Sequence, residues 1–231
     1  MTGQTPAPRY DMYRLIHKGL RAWMADTLAA AGTLDTDDDR EVAAVLARVR
    51  GLLDFCAKHV KHENTHVHAA MEARAPGSTA AIAAEHEHHA TEIAALEAAA
   101  AAVESARGAA RADAAHALYR RLAAFVGENL VHMEEEEGAN NAVLWAAYTD
   151  AELMAIEHAI VESQSPDDKM LGMRWIIAAA TPAERAALLS AVRPTVPAEA
   201  FAGLLEMLKS VLPPAAHGKL VRALAAPALA A

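Results

Sequence analysis

The sequence is short of what many functional classes require. It has one cysteine, Cys56. Neither an internal disulfide nor a multi-thiolate metal site can therefore form within it. Aromatic residues make up only 4% of the chain, and the β-branched and aromatic residues that favour strands are sparse. No run approaches the roughly 18 consecutive apolar residues that span a bilayer. The opening stretch MTGQTPAPRYDMYRL lacks the apolar centre of a secretory leader, so the expected location is the cytoplasm. Basic residues are not in excess. The net charge is −9, which argues against nucleic acid and against anionic membrane surfaces as partners. There is no phosphate-cradling glycine loop and no nucleophile motif.

What is abundant is alanine, the residue with the best helix propensity and no side-chain entropy to lose. It raises the hydrophobic fraction to 54%. The fold class expected is all-α. Punctuation divides the chain into long segments. A first helix is predicted from about Arg9 to Ala30, stopping near Gly32. A second begins at the acidic stretch Asp35, Asp37, Asp38 and Asp39, because carboxylates suit the free N–H groups of a helix start. It runs to about Arg74, before Pro76-Gly77. A third, capped by Ser78, ends near Gly108. A fourth runs from about Arg111 to Glu137 and stops at Gly138. Four long helices with short connections predict an up-down-up-down four-helix bundle over residues 1–140. After that, shorter segments alternate with prolines, and Thr181-Pro182-Ala183-Glu184 reads as a capping box with proline at the first helical position. Residues 141–231 are expected to form a C-terminal helical extension packed on the bundle.

Histidine is the second surplus: 12 in all, with His59, His62, His66, His68, His86, His88 and His89 close together. Helical periodicity sorts them, because i, i+3, i+4 and i+7 share a face. On the second helix the apolar arc runs through Val45, Val49, Leu52, Leu53, Cys56, Val60 and Val67. Glu63 falls inside it and His59 on its edge. His66 and His62 lie progressively further out, and His68 points away. On the fourth helix, Leu118, Leu122 and Phe125 define an inner face that Glu136 continues, with His132 one turn earlier. Two helices thus carry the same inward His-x-x-x-Glu unit. On the first helix His17 sits among Tyr13, Leu20, Met24 and Leu28. On the third, His89 is central to the face of Ile82, Ile93, Leu96 and Val103, flanked by His86 and Glu85.

A lone histidine on an apolar face is ordinarily a satisfied core residue, and a single His-x-x-x-Glu is ordinarily a surface pair. Two inward units on different helices, with inward histidines on the other two, are not accounted for that way. A carboxylate in an apolar arc needs a cation or a strong hydrogen-bond partner. Two carboxylates with four or five imidazoles suffice for two divalent metals, and this donor set suits iron, manganese or zinc rather than copper(I). The metal candidates are His17, His59, Glu63, His86, His89, His132 and Glu136. His62, His66, His68 and His88 read as surface or supporting residues, and Cys56 as a small buried apolar residue.

This order (His; His-x-x-x-Glu; His; His-x-x-x-Glu) resembles the hemerythrin-like, or HHE cation-binding, family over about residues 9–140. The resemblance gives His17, His59, Glu63, His132 and Glu136 the family's ligand places. On the third helix, Glu85-His86 with Ile93 and Leu96 fits the family's register, whereas the helix face favours His89; Glu85 is a third choice. The fourth-helix spacing departs from the His-x-x-x-x-Asp of oxygen-carrying hemerythrins, so the resemblance does not extend to simple O2 carriage. Ferritin-like proteins use Glu-x-x-His on two helices and a lone Glu on two others. Glu63 to His66 and Glu85 to His88 match that spacing, but on consecutive helices and without a glutamate on the first. The resemblance therefore implies two non-haem irons, with manganese or zinc as alternatives, and O2, peroxide or nitric oxide as the small-molecule partner. It leaves three roles open: an O2- or peroxide-reactive protein, an oxidase or oxygenase of a small organic substrate, or an iron-dependent interaction protein.

Overall fold

The structure is a computed structural model and describes residues 9–225. Every regular element among the described residues is helical. The described residues form two compact units: one comprises residues 9–14 and Trp23–Ser165, the other Leu15–Ala22 and residues 166–225.

The long helices of the first unit are α2 (Asp39–His62), α4 (Ala80–Ser105) and α5 (Ala109–Glu135), together with both ends of α1 (Tyr13–Gly32), whose middle belongs to the second unit. Helix α2 does not stop at His62. It continues through a π-helical segment, Glu63–His68, into α3 (Ala69–Arg74). Helix α5 likewise continues through a second π-helical segment, Glu136–Asn140, into α6 (Asn141–Ala147), and α7 (Asp150–Ser163) follows. α2 packs on α4, and α4 on α5. These helices bury Leu46, Val49, Leu52, Leu53, Leu96, Ala100, Val103, Leu118, Leu122 and Phe125, none more than 1% exposed. Each of the Val, Leu and Phe side chains contributes about 1.5–3 kcal/mol on leaving water.

The ends follow local chemistry. Asp38 caps α2 by accepting from the backbone N–H of Arg40 (2.8 Å) and Glu41 (3.2 Å). Asp11 does the same for α1 at Tyr13 and Arg14 and also accepts from Asn141 Nδ2 at 3.0 Å. Gly108, at φ +56°, makes the tight connection from α4 to α5, a backbone region that glycine enters without a Cβ penalty. Two expectations are corrected. Ser78 does not cap α4: the residue before the helix is Thr79, whose hydroxyl donates to Glu72 at 2.6 Å instead. Gly138 does not end the fourth helix. It stays out of the positive-φ region that terminates helices, and the π segment carries the chain through it, so position 140 falls inside a continuous rod. A separate apolar cluster of Met12, Tyr13, Val67, Met71, Leu144 and Leu153 closes this end of the unit.

The second unit contains α8 (Pro166–Ala179), α9 (Pro182–Val192), α10 (Ala198–Val211) and α11 (Pro214–Ala225). Its own core joins Ile177, Leu189, Phe201, Leu204, Leu208, Leu212 and Leu220. Thr181 and Glu184 form the expected capping box at α9. The α1 segment of this unit is fixed by Lys18, whose ammonium donates to both Glu184 oxygens (2.9 and 2.8 Å). It is also fixed by Gly19, where an added Cβ would lie 3.1 Å from the Ile176 nitrogen. Among the described residues no helix is long and apolar enough to cross a membrane.

Candidate metal centre

Both π segments begin at a glutamate, Glu63 and Glu136, each four residues after a histidine. A π turn closes i→i+5 bonds, and such bulges recur at functional sites. Both carboxylates lie fully inward where the π segments begin: Glu63 is 3% exposed and Glu136 is 0%. Two groups of ligand atoms result, each lying within 4.8 Å of one another. One is His17, His59, Glu63 and Glu136; the other is Glu63, His86, His132 and Glu136. The two carboxylates are common to both. His17 arrives on α1, a continuous helix that also carries Tyr13 and Trp23, and it is completely buried.

In the first group His59 Nε2 stands 3.1 Å from Glu63 Oε1. In the second, His86 Nε2 is 3.7 Å from Glu63 Oε2 and 3.6 Å from Glu136 Oε1, and His132 Nε2 is 3.5 Å from Glu136 Oε2. The two Nε2 atoms are 3.1 Å apart. The opposite nitrogen of each ring is committed: His86 Nδ1 donates to Asn64 Oδ1 and His132 Nδ1 to Glu85 Oε2, both at 2.7 Å. An amide oxygen and a carboxylate only accept, so both Nδ1 atoms carry the ring proton. Burial holds His86 below the usual imidazole range, against the pull of Glu63 and Glu85. In their neutral forms the two rings would present Nε2 lone pairs to one another beside two buried carboxylates. This is an arrangement of acceptors that a cation satisfies. Two imidazoles sharing one ion at about 2.1 Å stand roughly 3.0–3.4 Å apart, which the His86–His132 spacing matches. The donor set, imidazole and carboxylate without thiolate, suits iron, manganese or zinc.

His89 is buried as well, but its nitrogens belong to neither group. Its ring packs edge-on against His132, with centroids 4.5 Å apart, and against Phe125 at 6.0 Å. Burial, with smaller contributions from His132, His86 and His88, pushes it down to about 4. Glu85 stands behind His132 rather than in either group. His88 is exposed and 3.3 Å from Glu128. His62 and His66 are half-buried and outside both groups, while His116 and His158 are exposed. Burial pushes the Cys56 thiol up to about 12, with the charge of Glu63 adding to it, so it is not a reactive thiolate.

Several buried polar residues lie outside the set that the sequence pattern predicts. His68, expected to point away, is 6% exposed and stacks on His86 (4.8 Å, 7°). The π segment between Glu63 and His68 rotates the helix face away from the 3.6-residue register of a regular α-helix. Asn140 and Asn141 are buried for the same reason at the second π segment. Asn140 donates to the Tyr13 hydroxyl at 3.3 Å. The Tyr13 phenol is driven well above its ordinary value by burial first, then by the charges of Glu136 and Glu63. Buried asparagines within an apolar periodic run were the one signal available in the sequence.

An all-helical chain with a buried set of imidazoles and shared carboxylates defines a cation-binding helical protein. The Hemerythrin HHE cation binding domain matches residues 9–161, about two thirds of the chain, and the protein belongs to that family. The match reaches past residue 140 to take in α6 and most of α7. Neither the curated proteins nor the solved structures give a match.

Proposed function

We propose that this chain is a non-haem di-iron protein that binds or reacts with dioxygen, peroxide or nitric oxide. The carrying observation is the pair of four-residue groups that share Glu63 and Glu136. In this reading His17 and His59 would hold one ion, His86 and His132 the other, and the two carboxylates would be available to both and offset their charge. When bound, an iron pair would supply a reversible one-electron change at each ion and a Lewis-acidic centre for a small diatomic or peroxide ligand.

The protein's own residues set the conditions. Glu63, His86, His132 and Glu136 are themselves 5% exposed or less, so water is kept from this part of the bundle and electrostatic interactions there are strengthened. The Nδ1–H bonds to Asn64 and Glu85 present Nε2 of His86 and His132 as lone-pair donors. The Tyr13 phenol, kept protonated by its surroundings, is a hydrogen-bond donor rather than an anion at neutral pH.

The test is metal analysis of protein purified with intact iron supply, combined with an oxidised-minus-reduced optical spectrum. About two irons per chain and ligand-to-metal charge-transfer bands that respond to peroxide or nitric oxide are expected. Iron-free protein without such bands, or tightly bound zinc alone, would overturn the reading.

A further inference from the structure

Glu85 and His86 are adjacent on α4, about 100° apart around the helix, yet both act on the same small region. His86 sends Nε2 toward the carboxylates of Glu63 and Glu136. Glu85 passes behind the facing helix's histidine and accepts from His132 Nδ1 at 2.7 Å. The two nitrogens of an imidazole point in divergent directions, so a group on Nδ1 does not share an ion with Nε2. Glu85 is also partly open to solvent, with its side chain 38% exposed, whereas His132 is 5% exposed. It therefore reaches inward from the bundle surface.

We propose that Glu85 is a positioning residue of the metal centre: its carboxylate fixes the tautomer and orientation of His132 and raises the donor strength of that ring. The proposal rests on the di-metal reading above. A metal-ligating imidazole commonly donates its second N–H to a carboxylate or carbonyl, and losing that partner lowers metal affinity about 10- to 100-fold. His86 has a partner of the same kind in Asn64, but a neutral one. An anionic acceptor polarises the ring more than an amide does, so His132 is the stronger donor of the facing pair. This charge difference gives Glu85 a signature that a packing role lacks.

The experiment uses the full-length chain and cobalt(II) as the probe, titrated against a chromophoric chelator, with iron-loaded protein for potentials. Glu85→Ala is expected to weaken one of the two cobalt equivalents about 10- to 100-fold and to change the cobalt visible spectrum. Glu85→Gln keeps an oxygen that accepts the Nδ1 proton. It should retain most of the affinity while raising the reduction potential of the iron-loaded protein. Glu87→Ala, at an exposed neighbouring position, should match wild type throughout. Wild-type affinity and spectrum in Glu85→Ala would overturn the role of Glu85, as would equal losses in the Ala and Gln variants. A wild-type chain that binds no cobalt would overturn the di-metal reading itself and this proposal with it. If Glu85→Ala fails to fold, Glu85→Gln decides alone: an unchanged potential overturns the proposal.

Discussion

The Nε2 atoms of His86 and His132 face one another across 3.1 Å, each ring having spent its proton on the far side. This relationship separates two residues that the sequence could not rank. His86 points at Glu63 and Glu136; His89, one turn along α4, presents only its ring to His132. The expected outcome is that His86→Ala loses one of about two metal equivalents, while His89→Ala keeps both and instead loses stability by leaving a cavity beside Phe125. Inductively coupled plasma metal counts on the two variants check this, and the reverse pattern would make His89 the ligand.

Two carboxylates buried at 3% and 0% exposure in one small volume repel when no cation is present. Metal-free Glu63→Gln should therefore melt at or above the temperature of the metal-free wild type. Metal should raise the melting temperature of the wild type, since ligand at 100 times its Kd adds about 2.7 kcal/mol, and should move the variant much less. Calorimetry with and without added metal reads both numbers. A metal-free variant that melts far below metal-free wild type would mean that Glu63 supports the fold by itself.

Much of this arrangement was legible from the chain because it obeys a single rule, the helical period. That period put Glu63 and Glu136 inward with His59 and His132 one turn before them, and Thr181 with Glu184 announced α9. The helix continued where Gly138 had been read as a stop, since glycine ends a helix only when its backbone goes left-handed. His68 departs from its expected direction, and Asn140 and Asn141 carry no sequence expectation, because each follows or closes a π segment, which has no residue signature and shifts the face of everything after it. Glu85 was read as a third-choice ligand. Its contact with His132 spans 47 positions and depends on how α4 and α5 pack, which no local pattern encodes.

Burial alone pushes the Glu157 carboxyl up to about 7, and the Tyr10 hydroxyl hydrogen-bonds to it. A carboxyl whose folded value lies above its unfolded one favours the fold when protonated. Its contribution is present below about pH 4.5 and is lost as pH rises toward 7. Glu157→Gln should remove that loss, stabilising the protein by about 2 kcal/mol at pH 8 and leaving it nearly unchanged at pH 4.5. Urea unfolding at the two pH values measures it. An equal effect at both would show that Glu157 does not titrate in this range.

Two glycines in long helices should respond to the same substitution with opposite signs. At Gly127 on α5 nothing lies within 4 Å of an added Cβ, so Gly127→Ala should gain the helix preference of alanine, about 0.8–1.0 kcal/mol. At Gly19 the added carbon would meet the backbone of α8, 3.1 Å from the Ile176 nitrogen and 3.2 Å from the Trp175 carbonyl carbon. Backbone cannot rotate aside as a flexible side chain can, and overpacking of this kind costs about 1–3 kcal/mol. That exceeds the propensity gain over most of its range, so Gly19→Ala should be net destabilising. It should also weaken the seat of the α1 segment that carries His17. Denaturant unfolding of the two variants side by side provides the comparison. Stabilisation at Gly19 equal to that at Gly127 would mean that α1 and α8 do not approach as closely as these distances require.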